Sequence, residues 1–498
     1  MTISRSQEKI LLLVIILALH MFVFEAGVGG ADGWSYFANL QSLVDDFDLD
    51  LANNRLTFPE GYVVEPYMKE PNGRYATHEP LGATFFQIPF YVLGKVAARF
   101  APAVTIDRVP YSTLDSQTIV KVFSMILANN FWAIMAIVLV YVILRRVGVG
   151  ETPAFWTALF CFLGGPLHWY ATVGLSHAVS CFCTALMLYV FVRFLQSEGT
   201  SRTVFLVLTG LTIGLSSTVR YTNGLMLFAF GLLLLVENRR DLRQLLKDEF
   251  ALGLGCCLTV WITFVYWKIQ FGGFLVHPHA ETGEFHFFQW PPPLAKILFS
   301  TQHGFFVFSP VFLLALVGFV WMFVRFRDAD PVQLRLAVVS VLSFCAVAFI
   351  YDSYEEWAAH GTYSMRFLTN GVILMAPGLA YFLTHVRWKR AAYAVAGVAV
   401  AFSYGLFVLT RARLIYQHGD PTSVGLYLSD YTYIFREGVP LGEIASRIWN
   451  SSITLRLIGS RPALSVAAGM GLVAFAVLIV LYVRILRPRL IEGESTPA

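Results

Sequence analysis

The chain has 498 residues, of which 57% are hydrophobic and only 14% are charged, and its mean hydropathy is +0.63. Soluble domains of ordinary composition carry about 25% charged residues. The composition therefore excludes a soluble globular protein and indicates a protein that is largely embedded in a membrane.

Apolar residues come in twelve blocks, each of which predicts a transmembrane helix. A helix needs about 20 residues to cross a bilayer core. Six blocks are close to this length: Ile10–Val28, Val122–Leu144, Phe250–Trp267, Gly304–Val324, Ala391–Leu409 and Ala463–Leu481. Six shorter blocks span only together with their polar flanks: Pro153–Tyr170, Ala178–Leu195, Val204–Thr218, Leu225–Val236, Leu336–Ile350 and Val372–Leu383. The predicted fold class is an all-α polytopic membrane protein with about 12 transmembrane helices.

The first block also has features of a secretory signal peptide. Arg5 and Lys9 precede it, and the small residues of segment 26–30 follow it. Its apolar stretch is longer than the usual signal core. We therefore interpret it as a retained helix.

Basic residues mark alternate loops between the predicted helices. The clusters are Arg145 and Arg146; Arg193 and Arg202; Arg239, Arg240, Arg243 and Lys247; Arg325 and Arg327; Arg387, Lys389 and Arg390; and Arg484, Arg487 and Arg489. Short loops rich in Lys and Arg remain in the cytoplasm. Both termini are therefore predicted to be cytoplasmic. The same clusters explain the net charge of +4, so no nucleic-acid partner is expected.

The remaining long polar segments are predicted on the extracytoplasmic side. The largest is 29–117, in which Tyr36–Phe47 has the pattern of an amphipathic helix. Within the same segment, Phe85–Phe100 is predicted to be a helix at the membrane interface, anchored by Tyr91, Lys95 and Arg99. The other polar segments are 271–303, 351–370 and 411–461.

Two clusters of potential metal ligands do not lead to a predicted metal site. The acidic run Asp45, Asp46, Asp48 and Asp50 has calcium-like spacing but lacks the glycine and the terminal glutamate of an EF-hand loop. We interpret it as a solvated helix end. His277, His279 and His286 fit no zinc-ligand spacing.

Asp32 is the first candidate for chemistry, because it lies where the first helix leaves the membrane. A carboxylate at that depth is unfavourable unless it faces water or a partner. It has the chemistry to take a proton from an incoming hydroxyl or amine. The alternative is that it caps the helix that begins near Tyr36.

Further motifs follow Asp32 in a characteristic order. They are His78-Glu79-Pro80-Leu81-Gly82; Pro166–Tyr170 with Ser176-His177; Arg220-Tyr221-Thr222; Phe299–Gly304 with Ser309-Pro310; and Trp357–Gly361 followed by Ser364 and Arg366. From about residue 10 to 385, this order resembles the GT-C membrane glycosyltransferases. That family includes the protein mannosyltransferases and the lipid A aminoarabinose transferase. The resemblance implies a GT-C-like bundle with interfacial helices in the first external loop.

The resemblance also implies site residues and a substrate class. The donor is then a sugar on a polyprenyl phosphate, Asp32 is the catalytic base, and the acceptor is not identified. The substrate-binding residues are Arg220, Arg366, Tyr36, His78, Glu79, His177 and His303. No cofactor and no metal are expected.

Several of these residues also have a purely structural explanation that involves no substrate. Arg220 is also explained as an interfacial arginine that reaches toward water, and Arg366 as a partner of Glu355 or Glu356. His177 also fits a packing histidine.

The predicted function is transfer of a sugar from a polyprenyl-phosphate donor to an extracytoplasmic acceptor, in the inner (plasma) membrane. The resemblance assigns residues 1–385 to the catalytic module, including external loop 29–117, and residues 386–498 to C-terminal helices with external segment 411–461. Two alternatives stay open: a transporter or lipid flippase, and an O-antigen polymerase or ligase. The large first external loop and the lack of internal pseudo-symmetry argue against a transporter. In the polymerases and ligases, as the resemblance implies, the long loop comes late in the chain.

The predicted orientation is testable with fusions to alkaline phosphatase, which is active only outside the cytoplasm. Fusions after Asn53 and His418 should be active, and those after Arg240 and Arg387 inactive, because basic loops remain inside. The reverse pattern would place Asp32 in the cytoplasm and contradict the predicted orientation.

Overall fold

The computed structural model describes residues 5–24, 27–28, 30–54, 56–57, 63–64, 68–69, 72–100, 116–276, 294–301, 303–354, 362–412 and 440–451. These residues are mainly helical. The helices, in chain order, are α1 (Arg5–Phe24), α2 (Ala31–Gln41), α3 (Gly82–Ala98), α4 (Ser116–Arg146), α5 (Glu151–Leu163), α6 (Leu167–Tyr170), α7 (His177–Leu195), α8 (Gly199–Val219), α9 (Met226–Glu237), α10 (Leu242–Phe271), α11 (Leu294–Phe299), α12 (Phe305–Phe308), α13 (Val311–Val324), α14 (Pro331–Asp352), α15 (Gly371–Leu374), α16 (Ala376–His385), α17 (Lys389–Arg411) and α18 (Leu441–Ser451).

Short elements complete the described chain. A π-helical turn at Ser42–Asp46 and 3₁₀ turns at Leu51–Asn53, Tyr221–Leu225 and Arg366–Leu368 lie between the helices. Two small antiparallel hairpins pair β1 (Leu56–Thr57) with β2 (Val63–Val64), and β3 (Met68–Lys69) with β4 (Tyr75–Ala76).

Seven helices among the described residues are long and apolar enough to cross a membrane: α1, α4, α7, α8, α10, α14 and α17. Three shorter apolar stretches are Tyr221–Glu237, Val311–Val324 and Gly371–His385. Eleven of the twelve blocks predicted from the sequence coincide with helices, and Ala463–Leu481 lies outside the described residues. The predicted all-α polytopic architecture is confirmed, whereas the number of spans stays a prediction.

Helices α4 and α7 are the most buried of the long apolar helices, and α4, α7, α8 and α10 pack in succession, with α10 on the outside. Glycines allow α8 and α10 to approach closely. A Cβ atom on Gly210 would lie 1.9 Å from the Leu252 carbonyl oxygen, and one on Gly255 would lie 2.0 Å from that of Val207. Small residues at such crossings are typical of helix pairs in membranes, where packing drives association.

The chain turns sharply where α1 ends and α2 begins. Gly30 precedes α2 with a φ of 87°, in the left-handed region that favours glycine. Gly33 packs against the preceding turn so tightly that a Cβ atom would lie 1.8 Å from the Val28 carbonyl oxygen. The Gly174 amide donates to the carbonyl oxygens of Gly27 and Val28 at 3.1 Å. These contacts fix the position of Asp32, in the first turn of α2.

Helix α3 corresponds to the predicted interfacial helix, but the expected role of Tyr91 is wrong. Leu93 and Val96 are exposed on one apolar face, as expected of a helix against lipid. Tyr91 is completely buried, and its hydroxyl donates to Asp45 Oδ2 at 2.8 Å. The aromatic ring therefore joins α3 to the end of α2 instead of anchoring the helix at the interface.

Asp45, the first residue of the acidic run after α2, departs from the expectation of a solvated helix end, whereas Asp46 and Asp48 are exposed. Lys95 Nζ lies 2.6 Å from Asp45 Oδ1, and Lys121 Nζ lies 3.3 Å from its Oδ2. Burial opposes ionisation of Asp45, but hydrogen bonds from Lys95 and Tyr91 and the charge of Lys121 outweigh it and lower the pKa of this carboxyl group. Asp46 accepts a hydrogen bond from the Asn54 amide at 2.8 Å. The run thus ties the external segment to α3 and α4.

A buried ion pair at the opposite end of the bundle supplies a test of the fold. Arg202 donates to both oxygens of Asp248 at 2.8 and 2.7 Å, and Asp248 is only 1% exposed. Arg202→Ala should therefore lower the free energy of unfolding by about 3 kcal/mol, because it leaves a buried carboxylate without its cation. Thermal unfolding in detergent measures the effect.

Arg447→Ala is the matched control for that substitution. Its pair with Glu443 is exposed on both sides, and such pairs contribute less than about 1 kcal/mol. Equal shifts in the two variants would contradict the structural role of the Arg202–Asp248 pair.

Candidate functional site

A polar cavity of about 140 Å³ lies at the helix ends on the side of the bundle where α1 leads into α2. Its walls come from α2, the turn before α3, the start of α7, the end of α8, the end of α14 and the 3₁₀ turn Arg366–Leu368. The lining residues are Asp32, Tyr36, Glu79, Pro80, Leu175, Ser176, His177, Arg220, Tyr221, Thr222, Tyr351, Tyr354, Arg366 and Phe367. The site thus gathers side chains from distant parts of the chain.

Asp32 and Arg366 form an ion pair inside this cavity. Arg366 Nη1 donates to Asp32 Oδ2 at 2.7 Å, across 334 positions of sequence. The Arg366 side chain remains 21% exposed and that of Asp32 34% exposed, so both can meet a ligand. Ser364, just before Arg366, is held at a φ of 55°, an unusual conformation for a residue other than glycine. The chain is thus forced into the turn that presents the guanidinium group.

Tyr36 and Glu79 form a second pair on the same wall. The Tyr36 hydroxyl donates to Glu79 Oε2 at 2.6 Å. Glu79 is placed by the close approach of α3 to α8, since a Cβ atom on Gly82 would lie 2.4 Å from the Thr218 carbonyl oxygen. The His78–Gly82 motif therefore fits a packing requirement: glycine lets the turn carrying Glu79 rest against the end of α8.

The environment of Glu79 changes its proton affinity. Burial and the negative charge of Asp32 raise the pKa of Glu79 to about 7, although the hydrogen bond from Tyr36 and the two nearby arginines favour its ionised form. Burial, followed by the charge of Glu79, raises the pKa of Tyr36. The Tyr36 hydroxyl therefore stays protonated, while Glu79 is divided between its neutral and charged forms near pH 7.

Arg220 is the second guanidinium group of the cavity. Its Nη1 donates to His177 Nδ1 at 2.9 Å, and its Nη2 donates to the Tyr351 hydroxyl at 3.0 Å. Because arginine has no acceptor atom, His177 must accept this hydrogen bond with a neutral ring nitrogen. The two groups that hold Arg220 are thus neutral, so the balancing negative charge comes from the carboxyl groups elsewhere in the cavity.

The ring of Phe367 lies close to both arginines. Arg220 Cζ is 5.6 Å and Arg366 Cζ is 4.8 Å from its centroid. The same ring stacks on Tyr351 at 4.4 Å with an angle of 9°. The π face attracts both cations, so Phe367 helps to keep two like charges side by side in one cavity.

A buried network of amides and hydroxyls supports the cavity from below. Asn370 Nδ2 donates to Ser180 Oγ and to Asn223 Oδ1, both at 2.9 Å. Asn223 Nδ2 donates to Ser180 Oγ at 2.8 Å and to Ser216 Oγ at 2.9 Å. The network ties α7, the end of α8 and the segment after Arg366 together. It thus fixes the backbone positions from which His177, Arg220 and Arg366 project.

The structure brings together six of the eight site residues predicted from the sequence: Asp32, Tyr36, Glu79, His177, Arg220 and Arg366. His78 and His303 are not among the lining residues. The ring of His78 faces Phe271 at 6.4 Å. His303 is 1% exposed in the turn between α11 and α12.

Sequence reasoning missed two kinds of residue at this site. Tyr351 and Phe367 hold the arginines, but each lies in an aromatic-rich string where nothing distinguishes it from a packing residue. Asn223 and Asn370 are single amides at the edges of apolar blocks. A polar residue next to a predicted span was the available signal.

The other candidate ligands and ion-pair partners either form no site in the described residues or lie outside them. In the described part of the chain, no group of three or more His, Cys, Asp or Glu side chains is arranged to hold a metal ion. His277, His279 and His286 lie outside the described residues, as do Glu355 and Glu356.

The charged groups of the cavity are suited to bind an anion and to exchange protons. Two guanidinium groups side by side bind an oxyanion such as a phosphate, because their N–H donors match its oxygen geometry. Two carboxyl groups in different environments can exchange protons with a bound ligand. The cavity therefore suits a reaction in which an anionic group and a proton are both handled.

No protein-family model matches this sequence, and no curated protein matches it either. Among solved structures, the chain is similar to ArnT from Cupriavidus metallidurans bound to undecaprenyl phosphate. The identity is 12%, the TM-score is 0.47, and the match covers 98% of this chain and 80% of that one. It is also similar to the archaeal oligosaccharyltransferase AglB from Archaeoglobus fulgidus, in complex with an inhibitory peptide and a dolichol-phosphate, at 15% identity and a TM-score of 0.48.

A third similar structure is the S. cerevisiae protein O-mannosyltransferase Pmt1–Pmt2 complex bound to the sugar donor, at 15% identity and a TM-score of 0.38. The matches to AglB and Pmt1–Pmt2 cover 87% and 57% of this chain, but only 58% and 36% of those chains. All three matches have identities of 15% or less and TM-scores below 0.5.

Proposed function

We propose that this protein is a membrane glycosyltransferase that moves a sugar from a polyprenyl-phosphate donor to an extracytoplasmic acceptor. The observation that carries the proposal is the pair of guanidinium groups, Arg220 and Arg366, which share one cavity with the carboxyl groups of Asp32 and Glu79. A transferase with a lipid-phosphate leaving group needs both an anion clamp and a proton acceptor.

The arginines are assigned to the donor phosphate. They lie at helix ends, which is the depth of a lipid headgroup, and a guanidinium there meets the phosphate without leaving the interface. Phe367 holds both cations within 6 Å of one ring. When the bond between the sugar and the phosphate breaks, the same cations stabilise the charge that develops on the leaving group.

Asp32 is assigned as the base that activates the acceptor. The acceptor oxygen or nitrogen attacks the anomeric carbon in a single displacement, and Asp32 takes its proton. Asp32 is bound to Arg366 at 2.7 Å. A phosphate that takes over the guanidinium group frees the carboxylate at the moment when a base is needed.

The proposal places the cavity on the extracytoplasmic face of the inner (plasma) membrane, with both termini in the cytoplasm. The cavity-lining residues fall between positions 32 and 367, which agrees with a catalytic module over residues 1–385. Residues 386–498 are then the C-terminal helices with the external segment 411–461. The basic loops predicted to be cytoplasmic flank the ends of α4, α7, α13 and α16 that lie away from the cavity.

The role of Asp32 is tested by Asp32→Asn, which keeps the shape of the side chain and removes its basicity. Transfer should fall by a factor of about 10² to 10⁴, the usual scale for loss of a general base. The variant should still fold, because an ion pair with exposed partners contributes less than about 1 kcal/mol. Transfer of radiolabelled sugar by purified protein gives the rate. Near-normal transfer would reduce Asp32 to a helix residue.

Arg366→Lys and Arg366→Ala test the phosphate assignment. Lysine offers a point charge without the planar fork of arginine, so the lysine variant should lose most of its affinity for undecaprenyl phosphate and the alanine variant nearly all of it. Binding at matched protein levels is the measurement, with Arg447→Ala as the control because its exposed pair lies outside the cavity. Equal binding by all variants would remove Arg366 from the site.

A further inference from the structure

The cavity holds a second carboxyl group, Glu79. The proposed single displacement uses Asp32 and the two arginines and leaves Glu79 without a role. It shares a wall with Asp32 but has a different partner. Asp32 is bound by a cation, Arg366, at 2.7 Å, whereas the hydrogen bond to Glu79 Oε2 comes from a neutral phenol, Tyr36, at 2.6 Å. Two carboxyl groups in such different settings take opposite roles in proton transfer.

We infer that Glu79 is the general acid that gives its proton to the lipid phosphate as it leaves the sugar, while Asp32 takes the proton of the acceptor. This role rests on the proposed function. The acceptor oxygen or nitrogen forms a bond to the anomeric carbon, and the bond from that carbon to the phosphate oxygen breaks. The electron pair of the broken bond stays on the phosphate oxygen, which receives the proton from the Glu79 carboxyl group.

The position of Glu79 favours the phosphate over the acceptor. Its carboxyl group feels the charges of Arg366 and Arg220, which are the groups assigned to the phosphate. A neutral carboxylic acid there donates a hydrogen bond to the bound anion, whereas an ionised one repels it. Burial and the charge of Asp32 keep part of Glu79 protonated near neutral pH, since they raise the pKa to about 7. Binding of the anionic donor should raise that pKa further.

The surroundings leave few other groups that titrate in the same range. Among the described residues, the charged groups that act on Glu79 are Asp32, Arg366 and Arg220, and His78 precedes it in the chain. The titratable neutral groups around it are Tyr36, Tyr221, Tyr266, Tyr351, Tyr354 and His177. Arginines stay charged, and tyrosines stay protonated below about pH 10. The neutral ring nitrogen of His177 already accepts from Arg220.

The proposal is tested by the pH dependence of kcat for transfer from a polyprenyl-phosphate sugar, whose phosphodiester keeps a single charge over the range used. In the wild type, kcat should fall at alkaline pH as Glu79 loses its proton. In Glu79→Gln, kcat should be lower by a factor of about 10² and the alkaline decline should disappear. The amide keeps an acceptor for the Tyr36 hydroxyl, so thermal unfolding should stay near that of the wild type.

Tyr36→Phe gives a second readout that a purely structural role would not produce. The Tyr36 hydroxyl favours the ionised form of Glu79, so its removal should raise the pKa and move the alkaline decline to higher pH. If Glu79→Gln fails to fold, this shift still tests the assignment. Glu237→Gln is the matched control, because Glu237 pairs with Arg335 at the other end of α9 from the cavity. It should keep both the rate and the decline.

Two kinds of failure are distinguishable. If the wild type neither binds undecaprenyl phosphate nor transfers sugar, the proposed function itself is contradicted. If the wild type transfers sugar but Glu79→Gln keeps the alkaline decline, or Tyr36→Phe leaves it in place, Glu79 is not the acid. A decline that is lost in His177→Gln but kept in Glu79→Gln would assign the titration to His177.

Discussion

The ion pair between Asp32 and Arg366 is the contact around which the described site is built. It joins the start of α2 to a turn 334 positions later, and its members are partly exposed to the cavity. A partly exposed pair contributes little to stability. The proposed function gives the pair a role beyond stability, because a donor phosphate would compete with Asp32 for the same guanidinium group.

Keeping a second cation, Arg220, in the same cavity requires compensation. His177 and Tyr351 accept its hydrogen bonds without supplying a negative charge, and the ring of Phe367 faces both arginines. Asp32 and Glu79 balance the two positive charges in number, but Glu79 is neutral in part near pH 7 because burial and the charge of Asp32 raise its pKa. The cavity therefore carries a slight excess of positive charge when Glu79 is protonated.

The fold holds this arrangement through rigid contacts below and beside the cavity. Buried amides of Asn223 and Asn370 connect three segments that carry site residues. Glycines let backbone segments meet: Gly82 rests on the end of α8, and Gly33 rests on the turn after α1. Close packing of this kind restricts the relative movement of the segments. The distances between the charged groups are therefore set by packing that is remote from the charges themselves.

The sequence alone determined the helical, polytopic architecture, because a bilayer accepts long apolar helices with satisfied backbone hydrogen bonds and little else. It also supplied the candidates, Asp32 from its position at the end of the first apolar block, and Glu79, Arg220 and Arg366 through the resemblance of the motif order to the GT-C glycosyltransferases. The sequence did not show which of these residues contact one another. Only the tertiary structure showed that Arg366 meets Asp32.

The lack of contact information in the sequence also explains why the predictions for Tyr91 and His303 differ from the structure. Tyr91 lies within an interfacial pattern, yet it packs inside against Asp45, because helix periodicity gives the face of a residue but not the neighbour that covers it. His303 carries the chemistry of a site residue, yet it lies in a buried turn away from the cavity lining. Residue type and membrane depth are local properties that a sequence records. Contacts across hundreds of residues depend on how the helices pack, and packing is decided only when the whole bundle has formed.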